Sequence, residues 1–227
     1  MGTRAAAGRS QSGNAMKNVS GKTIGRLSLY RRVLYGLLAE GERNIFSHQL
    51  AVLAGGTAAQ VRRDVMAVGS AGSPTRGYDI QELTHLIGDF LDAPSGQTVA
   101  LVGVGNLGRA ILAYFAGRRP KLSIEAAFDN DPSKYGRVIH GCRCHPIEDL
   151  ARVVKDRRIA IGVVTVPAEQ AQDVADKLCR AGVYGLLNFA PVRLHVPANV
   201  YVEDIDVTMS LEKVAYFARL CGGRAWG

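Results

Sequence analysis

No apolar run in the 227 residues reaches the length of a membrane span. The N-terminus has no apolar stretch of the kind a secretory signal needs. These two absences exclude a helical membrane protein and argue against export. Four cysteines in a chain without such a signal point to reduced thiols in a cytoplasm, not to a disulfide framework. Acidic residues are scarce early on. Residues 1–78 carry 3 Asp/Glu against 11 Lys/Arg, and residues 79–227 carry 17 of each. The net charge of +8 therefore lies ahead of residue 79, which suits a polyanionic partner for that part of the chain. Residues 1–20 lack hydrophobic periodicity and read as a disordered basic tail with Arg4, Arg9 and Lys17.

The rest is globular in composition and long enough for two small domains. Its most informative stretch is Val99 to Ile111. An apolar strand, Val99 to Val102, runs into Gly103-Val104-Gly105-Asn106-Leu107-Gly108, which fits G-x-G-x-x-G at the start of a helix. In that pattern Gly103 permits the turn, Gly105 lets the backbone approach a pyrophosphate, and Gly108 lets helix and strand pack closely. The N–H groups of the helix start would hold the phosphates. A second strand, Leu122 to Phe128, ends in Asp129, about 20 residues past Gly108, where a carboxylate can accept from ribose hydroxyls. The neighbour of Asp129 is Asn130 and not Arg, so NAD(H) is expected over NADP(H). Further strands at Ile159 to Val164, Val183 to Asn188 and Val200 to Glu203, with a helix over Ala168 to Ala181, predict an α/β doubly wound parallel sheet.

Ahead of this fold lie four helical patterns. Thr23 to Glu40 carries Ile24, Leu27, Leu34, Leu37 and Leu38 on one stripe, broken by Arg31. Ser47 is expected to cap a short helix ending at Ala54, and Thr57 to cap Ala58 to Ala67 after the Gly55-Gly56 turn. Two short helices about a glycine turn form a helix-turn-helix pattern, whose second helix would present Gln60, Arg62 and Arg63 to DNA. The turn-rich Gly69 to Tyr78 then fits a wing with Arg76 as its cation, and a helix over Ile80 to Leu91 follows. The last helix, about Val207 to Cys221, is apolar on more than one face and calls for a second surface to bury it.

Together these motifs resemble the Rex family of bacterial redox-sensing repressors. The resemblance covers about residues 20–220. It is carried by Thr57 to Asp64, Gly103 to Gly108, Phe128-Asp129-Asn130-Asp131-Pro132-Ser133-Lys134, Thr165-Val166-Pro167 and Asn188-Phe189-Ala190-Pro191. It implies a winged-helix domain over 21–92, a Rossmann domain over 97–206, and a terminal helix over 207–227 exchanged between the subunits of a homodimer. It also implies operator DNA bound when NAD⁺ is high and released when NADH binds. By the same resemblance the cofactor is held by the Gly103 to Gly108 loop, Tyr114, Asp129, Asn130, Lys134, the Thr165 to Pro167 loop and the Asn188 to Pro191 loop. DNA is met by Ser47, Thr57, Ala58, Gln60, Arg62, Arg63 and Arg76. Arg32 and Asp206 are implied as the pair that senses the nicotinamide ring. Three positions depart from the family pattern, with Val68 and Ala71 where aromatics usually precede the wing glycines, and with the wing arginine Arg76 displaced.

Two other constellations compete. His140-Gly141-Cys142-Arg143-Cys144-His145 holds metal-binding residue types, but its C-x-C spacing is unlike that of zinc knuckles. It is expected to be a hairpin with no metal, its two thiols on opposite faces. The alternative function is an NAD-dependent oxidoreductase with a basic N-terminal domain. It would need an acid/base near the hydride, and the sequence does not show what would orient the candidates His195 and Tyr114. No enzyme activity is expected.

Overall fold

The computed structural model describes residues 19–117 and 121–222. Nearly all of the expected basic tail lies outside the described residues. The chain divides between Pro94 and Ser95 into two compact units.

The first unit runs α1 (Gly21–Ala39), β1 (Asn44–Ile45), α2 (Ser47–Ala54), α3 (Ala58–Ala67), β2 (Tyr78–Asp79) and α4 (Ile80–Leu91). Short polar side chains start three of the helices. Ser20, Thr57 and Asp79 accept from the N–H groups of Thr23, Gln60 and Glu82, at 3.2, 3.2 and 2.9 Å. Apolar residues at helical spacing close one core, including Leu27 and Leu34 of α1, Leu50 of α2, Val61 and Val65 of α3, and Leu83 and Ile87 of α4. Val68 joins that core. β1 and β2 pair antiparallel, and a bridge between Ser73 and Gly77 tightens the wing. Gly77 has φ +72°, and a Cβ there would lie 2.4 Å from the Ile45 carbonyl oxygen, so only glycine fits.

Two expectations need correction here. Ser47 is the first residue of α2 and not its cap, because Phe46 caps it and its N–H donates to Gln49 Oε1 at 2.8 Å. The charge asymmetry also changes once unit boundaries are known. Helix α4 and its flanks are acidic and belong to the first unit, so residues 1–94 hold 11 Lys/Arg against 7 Asp/Glu, and residues 95–227 hold 17 against 13. The basic excess marks the stretch up to the wing and not a whole domain.

The second unit contains β3 (Gln97–Val102), α5 (Asn106–Phe115), β4 (Leu122–Asp129), β5 (Val138–Ile139), β6 (Cys142–Pro146), α6 (Leu150–Asp156), β7 (Ile161–Val164), α7 (Ala168–Arg180), β8 (Gly185–Asn188), β9 (Tyr201–Asp204) and α8 (Val207–Gly222). The sheet order is β5-β6-β4-β3-β7-β8-β9, parallel throughout except for the β5 edge. The first strand, β3, lies between β4 and β7, and strand order reverses there. In such sheets a ligand binds beyond the carboxyl ends of the strands at this reversal. Apolar layers cover both faces. Leu150, Val154, Val174 and Leu178 of α6 and α7 pack on one, and Ile111 and Leu112 of α5 on the other.

Strands β7 and β8 begin two residues later than the apolar runs suggest. Ile159 and Val183 close the preceding helices instead, donating to Val154 and Leu178 carbonyls at 2.9 and 3.1 Å. A buried apolar residue just past a left-handed turn residue is a helix stop, and Arg158 (φ +52°) and Gly182 (φ +99°) supply those turns. The hairpin at Cys142 and Cys144 forms as expected, turning at His140 and Gly141 with positive φ. Its thiols do not point to opposite faces. Residues two apart on a strand share a face, and both are buried in the same cluster. Burial pushes Cys142 up to about 11 and raises Cys144 as well. Among the described residues no three His, Cys, Asp or Glu side chains gather as a metal site, and no helix is long and apolar enough to cross a membrane. Helix α8 exposes Val207, Leu211, Val214, Phe217 and Leu220, each at least half accessible.

Candidate nucleotide site and nucleic-acid interface

Four loops leave the carboxyl edge of the parallel sheet: Gly103 to Gly105 after β3, Asn130 to Lys134 after β4, Thr165 to Pro167 after β7, and Phe189 to Pro191 after β8. Backbone bonds tie them together. Gly103 N–H donates to Phe128 O at 2.8 Å, Thr165 N–H to Val102 O at 2.9 Å and Phe189 N–H to Val164 O at 2.9 Å. The Thr165 hydroxyl adds contacts to the Val102 and Gly103 carbonyls at 2.9 and 2.8 Å. Thr165 thus braces the glycine turn.

The three glycines have three different reasons to be glycine. Gly103 has φ +100°, and a Cβ there would lie 2.6 Å from Thr165 O. At Gly108 a Cβ would lie 2.1 Å from Gly103 O, so the helix could not approach the strand. At Gly105 a Cβ would meet nothing within 4 Å. Its smallness serves no internal packing, and it leaves room for something outside the chain. Gly105 is also the cap of α5 and offers no side-chain hydrogen bond, so the helix start keeps its N–H groups for an anion. The cradle fits a dinucleotide pyrophosphate.

Asp129 ends β4 with its carboxylate turned into the protein. It is buried, 6% exposed, and both oxygens are engaged. Oδ2 accepts from Val104 N–H at 2.7 Å and from Lys134 Nζ at 2.9 Å, and Oδ1 accepts from Asp131 N–H at 2.9 Å. Burial raises its pKa, but the bonds from Lys134 and the two backbone N–H groups outweigh it, and the carboxyl lies below its ordinary value. Asp129 therefore fastens the glycine loop to the end of β4, and the Val104 N–H is engaged inside the protein. Asn188 is also an internal organiser. It is 1% exposed, donates from Nδ2 to Val192 O at 2.8 Å and Asp204 Oδ1 at 2.9 Å, and accepts from Ala190 N–H at 3.0 Å. Ala190 is buried too, whereas Asn106, Leu107, Asn130, Pro167 and Pro191 are exposed and Val166 and Phe189 half-buried. Tyr114 lies exposed on α5, edge-on to Phe115.

In the first unit, Arg62, Arg63 and Arg76 are exposed, as is Thr57, with Ala58 and Gln60 half-buried. The Ser47 hydroxyl accepts from Arg62 at 3.1 Å, joining α2 to α3. Ser73 Oγ accepts from the Arg76 N–H at 3.3 Å and holds Arg76 in the wing turn. Behind α3 sits a cluster that the reading of the sequence missed. Asp64 is 4% exposed and accepts from Arg26 Nε and NH2 at 2.6 and 2.7 Å and from the Tyr30 hydroxyl at 3.1 Å. Burial and the Asp64 contact push the Tyr30 hydroxyl up to about 12. Arg31, read as a break in an apolar stripe, pairs with Asp92 at 2.8 Å. A buried acid in the middle of a basic helix was the one available hint. Arg32 is exposed on α1, and Asp206 caps α8 by accepting from Met209 N–H at 2.7 Å. The backbone of exposed His195 is held by Gln172.

A family model described as a CoA binding domain matches residues 95–192, and one described as a putative DNA-binding protein N-terminus matches residues 18–65. The chain is 37% identical over 92% of its length to the redox-sensing transcriptional repressor Rex of Rhodopirellula baltica, covering 88% of that protein. It is 40% identical to the Rex of Carboxydothermus hydrogenoformans over 87% of this chain and 95% of that one. Among solved structures, the Rex-family repressor RSP in complex with NAD⁺ and operator DNA superposes with TM-score 0.83 and 32% identity, covering 89% of this chain and 94% of RSP. The RSP complex with NADH gives TM-score 0.80, 31% identity, and coverage of 88% and 94%. With a helix-turn-helix unit, a dinucleotide cradle and relatives matched over nearly their whole length, the chain belongs to the Rex family of redox-sensing transcriptional repressors.

Proposed function

We propose that this chain represses transcription by binding operator DNA through its first unit and is released when NADH occupies the cradle of its second. The observation that carries this reading is the open space at Gly105 beside an uncapped helix start, in a chain that also presents Arg62 and Arg63 on an exposed helix. The cradle's backbone N–H groups suit the pyrophosphate, which NAD⁺ and NADH share. Discrimination between them must act at the nicotinamide, where the oxidised ring is cationic and the reduced ring neutral. Tyr114 would sit beside that ring, and Asp206 would exchange its cation between the oxidised nicotinamide and Arg32. A ligand shifts an equilibrium only by its differential affinity for the two states. A coupling of about 1–3 kcal/mol corresponds to roughly 5- to 150-fold in DNA affinity.

The working species is a homodimer in the bacterial cytoplasm. Helix α8 exposes Val207, Leu211, Val214, Phe217 and Leu220 around its cylinder, and a second subunit would bury them. A two-fold dimer reads a pseudo-palindromic site. Mobility-shift titration on the DNA upstream of its own reading frame tests the reading. A shift with NAD⁺ that NADH reverses is expected, and a shift indifferent to either cofactor overturns it. Light scattering after removal of residues 207–227 should give a monomer or an aggregate, and a stable dimer would overturn the role of α8.

A further inference from the structure

The ion pair behind α3 joins a buried Asp64 to an Arg26 side chain that is 27% exposed. Burying the Asp64 carboxylate carries a desolvation penalty that the attraction of its partner often only matches, and apolar residues of the same volume often hold helices together as well. Apolar packing sets which face of a helix is inside, with a scatter of roughly 15–20° between packed helices, and leaves the finer rotation loose. A bidentate guanidinium–carboxylate pair can fix it, because two parallel bonds set an angle as well as a distance. Asp64 is the only acidic residue of α3 and follows Arg62 and Arg63 directly. It is buried where they are exposed. At 3.6 residues per turn they lie roughly 200° and 100° around the helix from it, so fixing Asp64 fixes them. A rotation of about 10° moves a group at the roughly 6 Å side-chain radius by about 1 Å. That displacement exceeds the spread of good hydrogen-bond distances.

We infer that Arg26 and Tyr30 of α1 are positioning residues for DNA readout, which act through Asp64 to set the rotation of α3 and hence the aim of Arg62 and Arg63. Three bonds converge on Asp64: Arg26 Nε to Oδ2 at 2.6 Å, Arg26 NH2 to Oδ1 at 2.7 Å and the Tyr30 hydroxyl to Oδ2 at 3.1 Å. Arg26 is itself steadied by donating to the Thr23 hydroxyl at 3.0 Å. The clamp therefore starts from the capped first turn of α1. The inference rests on the DNA-binding reading above and adds that specificity is set from behind the recognition helix.

The sign of one substitution separates positioning from charge. Asp64→Asn removes a negative charge from a DNA-binding helix. If Asp64 acted only as a charge, affinity for every duplex would rise, because the phosphate term depends on net charge and not on sequence. If it acts by aiming Arg62 and Arg63, affinity for the specific site falls while affinity for unrelated DNA holds or rises. The probe is the duplex that the wild-type full chain selects from a random library, set against a scrambled duplex of equal length. The expected result is a specific-to-scrambled affinity ratio about tenfold or more below wild type, the scale of losing one well-aimed base contact. Arg26→Lys keeps the charge but loses the second bond, and should lower the ratio in the same direction. Tyr30→Phe should lower it least. Thermal melting of each variant serves as the folding control. If Asp64→Asn does not fold, Arg26→Lys and Tyr30→Phe decide. An unchanged ratio in the folded variants overturns the inference while leaving DNA binding intact. A wild-type chain that selects no duplex overturns the DNA-binding reading and the inference with it.

Discussion

In the first unit the groups that face outward are long side chains, Arg62, Arg63 and Arg76, on a helix and a wing whose backbone is internally bonded. In the second unit the groups offered at the sheet edge are backbone, and Gly105 contributes by having no side chain. Each unit also buries one engaged carboxylate, and the two are used in opposite ways. Asp64 holds a helix so that its neighbours' side chains are aimed. Asp129 holds a loop, taking up the Val104 N–H and leaving the next N–H groups free of side-chain caps. Base edges vary and need side chains to tell them apart. Phosphates do not vary, and a fixed row of N–H groups serves every one of them.

The largest expected effects come from breaking the backbone side. Gly108→Ala forces a Cβ to 2.1 Å from the Gly103 oxygen. Overpacking of this kind costs about 1–3 kcal/mol, so the second unit should melt lower and NADH binding should be lost in calorimetry. Gly105→Ala is the sharper test. Its Cβ meets nothing within 4 Å, so melting should stay within about 0.5 kcal/mol of wild type while NADH affinity falls. If both affinity and melting are unchanged, the cradle is not where the cofactor lies.

The side-chain unit should fail in the complementary way. Arg62→Ala and Arg63→Ala should each weaken specific DNA binding by about 1–3 kcal/mol and leave NADH binding unchanged by calorimetry. An equal loss on specific and unrelated DNA would instead make them phosphate contacts. A smaller effect is expected at Lys134. Asp129 has a lowered pKa, so the stability it lends the glycine loop is present above its ordinary carboxylate value and is lost as pH falls through the lowered one. Lys134→Met removes one of the bonds that hold the Asp129 pKa down, and the acid midpoint of NADH binding, followed by fluorescence, should move to higher pH. An unmoved midpoint would assign the loop to the backbone bonds alone. The smallest effect is expected at Cys142. Pushed up to about 11 by burial, it is a protonated thiol at neutral pH and should resist alkylation in the folded chain. Cys142→Ala should leave the NADH response intact. A lost response would give the thiol a redox role.

Where residues act on near neighbours, the sequence was a good guide. Helices α3 and α4 begin and end where their caps and apolar spacing place them, at Ala58–Ala67 and Ile80–Leu91. Gly103 and Gly108 do what their spacing from the strand requires. These features depend on bonds within a few residues and on repeats of 3.6, which composition and order carry directly. Tertiary structure alone decided the rest. Asp129 ends β4 where its place in the pattern puts it, but its tie to Val104, 25 residues away, came only with the fold. Arg31 looked like a flaw in an apolar stripe until Asp92 met it, and Asp64 had no visible partner until α1 lay across α3. Ser47 has the chemistry of a cap, yet packing of α2 against α3 turned its hydroxyl to Arg62. A charged or hydroxyl side chain can be satisfied in many ways, and its order in the chain does not say which partner arrives. The fold settles that choice, because leaving a buried polar group unpaired costs more than any single placement gains.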